Sequence, residues 1–127
     1  MTKKIVLVLC LFLGLVGVIC FEQIYTENSI NEIFAEIDIL QTNIEKEDLE
    51  ASKKKAEYIV EFWGEREGVI CLFVDYRDIE QITKQANLVV SHLSNKDFQL
   101  ARVECNALSQ AVENFYNMVK FDFWNIF

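Results

Sequence analysis

An all-α protein is what this sequence predicts: one transmembrane helix, followed by two antiparallel helical hairpins packed as a small four-helix bundle. Three observations carry that reading. Proline is absent and only 4 glycines occur in 127 residues, so long segments can run without a backbone break. Apolar residues beyond position 25 recur at spacings of three and four, the mark of one buried stripe per helix. Ahead of them lies an uncharged block long enough to cross a bilayer.

That block runs from Ile5 to Phe21, IVLVLCLFLGLVGVICF, behind Thr2-Lys3-Lys4. Its seventeen residues stand at the short end of the roughly 17–25 that span a hydrocarbon core. They exceed the roughly 7–15 of a secretory signal's apolar region. No small-x-small cleavage pair follows, and Ile19 precedes Cys20 where a lipoprotein signal needs a small residue. Residues 1–24 are therefore expected to stay attached as a membrane anchor, touching lipid through residues 5–21. Lysines before the span and acids after it put the N-terminus in the cytoplasm. The body, residues 25–127, is then an extracytoplasmic domain of a single-pass cell-membrane protein.

Charge narrows the partners. The formal net charge is −8, yet residues 1–21 hold only Lys3 and Lys4. In residues 22–127, 20 acids against 10 bases leave −10. Such a body repels phosphate backbones, so no nucleic acid is expected as a partner. The same sign disfavours docking of the whole body on an anionic bilayer surface.

The first hairpin is expected over about 26–67. Ile30, Ile33, Ile37, Leu40 and Ile44 form the stripe of its first helix, with Glu32, Glu36 and Glu45 facing water. At Glu45-Lys46-Glu47-Asp48, Asp48 suits an N-cap, and Glu47 and Glu50 suit the positive end of the next helix. Leu49, Ala56, Ile59 and Trp63 continue as a second stripe, with Lys53, Lys54 and Lys55 mostly on the solvent side. Gly64 and Gly68 weaken this helix near its end. Val69 to Val74 reads equally well as one more buried helical turn or a short extended piece.

The second hairpin is expected over about 75–120, with an aromatic tail at 121–127. Ile79, Ile82, Ala86, Val89 and Leu93 mark its first helix; Phe98, Ala101, Cys105, Leu108, Val112, Phe115 and Val119 mark its second. Between them, Ser94-Asn95-Lys96-Asp97 is a polar turn with Asp97 as cap. A shift of 49 residues lays Ile30 on Ile79, Ile44 on Leu93, Asp48 on Asp97 and Ile59 on Leu108. Two hairpins of one plan follow.

Candidate chemistry is sparse. Asp75, Tyr76, Arg77, Asp78 and Glu80 crowd behind an apolar run. Asp75 reads as the N-cap of the third helix, with Asp78 at the capping-box position, Asp78 and Glu80 in the first turn, and Glu80 four before Lys84. Every charge but Arg77 then has a structural use, so no catalytic residue is expected. His92 is the only histidine and falls near a helix C-terminus. One histidine without a nearby cysteine does not make a zinc site, and no calcium loop, phosphate loop or nucleophile elbow is present. No cofactor and no metal are expected. Cys105 reads as core, too far from Cys71 along the helices for a disulfide. Phe123, Trp124, Asn125, Ile126 and Phe127 end the chain. They read as a lid over the bundle end or, functionally, as an interaction tail for a partner or the membrane interface.

The lysine-flanked span, Asp48-Leu49 with Trp63, the run Leu72-Phe73-Val74-Asp75-Tyr76-Arg77-Asp78-Ile79-Glu80 and the terminal Asn125-Ile126-Phe127 carry a resemblance over nearly the whole chain. Together they resemble the small single-span proteins of spore-forming and related Gram-positive bacteria grouped as domain-of-unknown-function family four-three-six-three. That family usually has histidine where this chain has Tyr76, which argues against an essential imidazole there. The resemblance implies the architecture and leaves the function open. The function expected is a non-enzymatic accessory or interaction module for a membrane or envelope protein, the alternative being a ligand- or cation-sensing helical bundle.

Overall fold

The computed structural model of the chain describes residues 1–72 and 74–126, with side chains described as far as Phe121. Its four helices are α1 (Thr2–Glu45), α2 (Leu49–Ile70), α3 (Tyr76–Ser94) and α4 (Phe98–Ile126). Each packs against two others, in a ring from α1 to α2 to α3 to α4 and back to α1.

The apolar block and the first stripe form one continuous rod. α1 has 44 residues, about 66 Å at 1.5 Å per residue. The polar stretch after Phe21 does not break it, because it lacks glycine and proline; within it the Ser29 hydroxyl donates to the Tyr25 carbonyl oxygen at 2.8 Å. The two halves meet different surroundings. The apolar window of α1 is wholly unburied, while Ile30, Ile33, Ile37, Leu40 and Ile44 are buried. Length and composition suffice to cross a membrane.

α2 starts at Asp48, whose side chain accepts from the Ala51 N–H at 3.1 Å, and continues to Ile70. It passes both glycines, three residues beyond the expected end. Nothing lies within 4 Å of where a side chain at Gly64 or Gly68 would stand, so neither leaves a packing gap, while Phe62, Trp63 and Ile70 hold the helix by burial. The ambiguous Val69–Val74 run is thus divided: its first two residues are helical, and the backbone turns at Cys71 and Leu72.

The junctions between α1 and α2 and between α3 and α4 have the same geometry 49 residues apart. The N–H groups of Glu47 and Asp48 donate to the carbonyls of Ile44 and Asn43; those of Lys96 and Asp97 donate to Leu93 and His92. This is the Schellman closure of a helix C-terminus. It puts Glu47 at φ 53° and Lys96 at φ 58°. Asp97 then accepts from the Leu100 N–H at 3.0 Å, as Asp48 does from Ala51. The internal similarity thus extends from the stripes to individual hydrogen bonds. Glu47, expected to serve the positive end of α2, instead takes the left-handed position that closes α1.

One buried cluster draws on all four helices. Trp63 is its largest fully buried side chain and meets Phe115 edge-on, ring centres 6.0 Å apart at 83°. Three sequence expectations are corrected here. Glu36 does not simply face water and Lys55 is not on the open side; both are half-buried and joined by an ion pair of 2.6 Å, because their helices meet along that edge. α4 also does not stop near 120 but stays helical through Ile126, so the terminal segment continues the helix instead of forming a separate tail.

Candidate functional site

The acidic motif is built as a helix start. Asp75, at φ −61° and ψ 127°, caps α3 by accepting from the Arg77 N–H at 3.0 Å. The Arg77 guanidinium returns to the same carboxylate at 3.1 Å. Arg77 therefore does have a structural partner, which its sequence neighbours did not suggest; a side chain two residues past an N-cap can fold back over it. This guanidinium bond, with the backbone N–H behind it, holds the Asp75 carboxyl below its ordinary range and raises Arg77 in turn. Both groups remain largely in solvent. Asp78 lies in the first turn as expected, whereas Glu80 falls one residue beyond it. Tyr76 and Glu80 are exposed and Asp78 half-buried. The ion pairs of the described residues do not include Glu80 with Lys84. Surface placement gives these carboxylates no shared, water-poor cleft.

A second polar feature joins α2 and α3 at the edge of the core. The Trp63 indole N–H donates to Thr83 Oγ1 at 3.0 Å, and Thr83 Oγ1 lies 2.7 Å from Glu67 Oε2 and 3.2 Å from the Ile79 carbonyl oxygen. The hydroxyl has one proton, and the shorter, charge-assisted contact to Glu67 takes it. Beside it, the Arg66 guanidinium lies 3.6 Å over the Phe62 ring and donates to the Phe62 carbonyl at 3.1 Å. Sequence reading missed the chain through Thr83. The available signal was Trp63 itself, since a buried indole N–H needs an acceptor.

Where α1 meets α4, Gln41, Ile44, Glu45, Arg102, Cys105 and Asn106 line a recess of about 160 Å³. Gln41 Nε2 donates across it to Asn106 Oδ1 at 3.2 Å. Cys105 is buried as expected; burial first, and the Asp38 charge second, push its thiol up to about 12. Such a thiol is a packing group, not a nucleophile at neutral pH. Cys71 is half-buried just past α2, and burial and the charge of Glu67 also raise its thiol. Among the described residues no three His, Cys, Asp or Glu side chains are grouped to hold a metal ion. The side chains of Phe123, Trp124, Asn125 and Ile126, and the whole of Phe127, lie outside the described residues.

The fold and these features define a class: an all-helical protein with one exposed apolar N-terminal helix that continues into a packed helical body. Residues 20–126 match the family described as domain of unknown function DUF4363, and the chain belongs to that family. No protein of curated function and no solved structure matches it.

Proposed function

We propose that this protein is a membrane-anchored, extracytoplasmic helical module that acts by binding another membrane or envelope protein and carries no catalytic activity of its own. In this reading residues 5–21 span the cell membrane once, the N-terminus faces the cytoplasm, and two antiparallel hairpins form the body outside.

One observation carries it. α1 is a single helix whose apolar half is left bare while its second half is built into a core. A bare apolar helix of that length is stable only in lipid or against another protein, and a rigid junction fixes the height of the body above the bilayer. The short turns at 46–48 and 95–97 and the 36–55 ion pair support antiparallel neighbours. Motif carboxylates in open solvent suit a helix start and a binding surface better than proton transfer.

Topology tests the anchor. A fluorescent reporter that folds only in the cytoplasm, fused after Phe127, should stay dark, and a phosphatase active only outside should turn over; the reverse pattern would remove the reading. Crosslinking in intact cells tests the partner. Residue-specific photocrosslinkers at exposed positions such as Leu100 and Val103 should give a discrete adduct with a membrane or envelope protein, and an absence of adducts from every exposed face would sink the interaction role.

A further inference from the structure

We infer that the membrane-proximal end of the helical body is a second lipid-contact surface, formed by Leu72 just past α2 and Phe121 in the last part of α4, that inserts into the interface of the bilayer crossed by α1. The inference rests on the anchor reading above.

Helix register brings both segments to the same level. Glu36 and Lys55 pair across α1 and α2; counting equally away from the 46–48 turn, Ile70 comes level with Phe21. Gln41 and Asn106 pair across α1 and α4; the same count brings Phe121 level with Thr26. The end of α2 and the end of α4 thus converge on residues 21–26 of α1, where the apolar span stops. Helix length agrees. α4 has 29 residues and α3 has 19, so α4 overruns its neighbour toward the bilayer by about 15 Å at 1.5 Å per residue.

Exposure picks out the same end. Among described residues beyond the span, the four most exposed large apolar side chains are Leu72 at 76%, Phe121 at 65%, and Ile24 and Tyr76 at 60%. Leu72, Phe121 and Ile24 lie at this level. Leu72, in the turn just past α2, is the most exposed large apolar side chain of the described body; such exposure is unusual for a turn in water and ordinary for one seated among headgroups and upper acyl chains. Lys120, exposed, stands beside Phe121, where a long cationic side chain reaches phosphate. Glu22 and Asp78 are at the same end, and Asp75 is occupied by Arg77. The contact is accordingly apolar first, and does not require anionic lipid.

Full-length protein reconstituted in phosphatidylcholine vesicles, with a small fraction of phosphatidylcholine bearing a diazirine in its upper acyl chain, tests the inference. After irradiation, tryptic peptides are mapped by mass spectrometry. Residues 5–21 should be labelled in any case if α1 is the anchor. Peptides 67–77 and 121–127 should exceed peptides 56–66 and 103–120, which carry the exposed Tyr58 and Val103, by at least about tenfold, the occupancy ratio that burial of one Leu-sized side chain supports. Leu72→Asp should abolish the excess in 67–77 and leave 5–21 unchanged. Labelling of 5–21 with 67–77 and 121–127 at the reference level would overturn this inference and leave the anchor standing. An unlabelled 5–21 would overturn both. Protein–protein crosslinks at Leu72 between two copies, without lipid adducts, would assign this end to self-association and overturn the lipid reading.

Discussion

Glu47 and Lys96 each hold a left-handed backbone, φ 53° and 58°, at the position where Schellman turns usually place glycine. Substituting glycine at either position should stabilise the protein. A non-glycine residue in this region costs roughly 1–2 kcal/mol, and relief of that cost is offset by the extra unfolded-state freedom of glycine, roughly 0.5–1 kcal/mol. The net gain is about 0.5–1 kcal/mol per turn. Because the two turns make the same hydrogen bonds, the gains should be similar. For a body of about 100 residues this corresponds to a rise in Tm of about 3–6 °C per substitution. Thermal unfolding of the detergent-solubilised full chain, followed by far-ultraviolet circular dichroism, measures it. The control is alanine. Glu47→Ala and Lys96→Ala keep a Cβ in the left-handed region and should bring no comparable gain. If alanine stabilises as much as glycine, the benefit comes from removing a side chain, and the backbone argument is refuted.

The other expectations concern the caps and the core. Asp48→Ala and Asp97→Ala should each cost about 1 kcal/mol through loss of the bonds to the Ala51 and Leu100 N–H groups, read as a lower urea midpoint at constant slope. Thr83→Val leaves the buried indole of Trp63 without an acceptor and should cost about 1–3 kcal/mol, with a change in the near-ultraviolet signal of Trp63 where a merely surface role would leave it unmoved. Cys105 titrates at about 12 in the folded chain against an ordinary 9.0. Its contribution is therefore complete below pH 9.0 and is lost as pH rises towards 12, at up to about 1.4 kcal/mol per pH unit. The difference in stability between wild type and Cys105→Ala should shrink over that window and be constant below it. At pH 8 iodoacetamide should leave Cys105 unmodified until the chain is unfolded.

Much of this architecture is legible in the residues. The stripes from Ile30 to Ile44 and from Ile79 to Leu93 are the faces that are buried, because a spacing of three and four has only one way to hide its apolar side. Asp48, Asp75 and Asp97 are the caps, because a short carboxylate before a periodic run can meet orphan N–H groups locally. Details that depend on a neighbouring helix were not legible. Lys55 looked like solvent-facing charge until α1 brought Glu36 to it. Trp63 announced a need for an acceptor, but only the packing of α3 supplied Thr83, and Glu67 behind it. Arg77 was assigned no role because its partner lies only two residues back, outside the three- and four-residue spacings that organise helical pairs.

By itself the sequence determined that the protein is helical, that polar turns fall near 46–48 and 95–97, and that the stretch from Ile5 to Phe21 is uncharged and apolar. These properties follow from local backbone chemistry and from periodicity along one chain. Tertiary structure alone decided that α2 ends at Ile70 and that α4 stays helical through Ile126. Each of those outcomes turns on what a helix packs against, and the free energy of packing belongs to pairs of surfaces that no single segment contains.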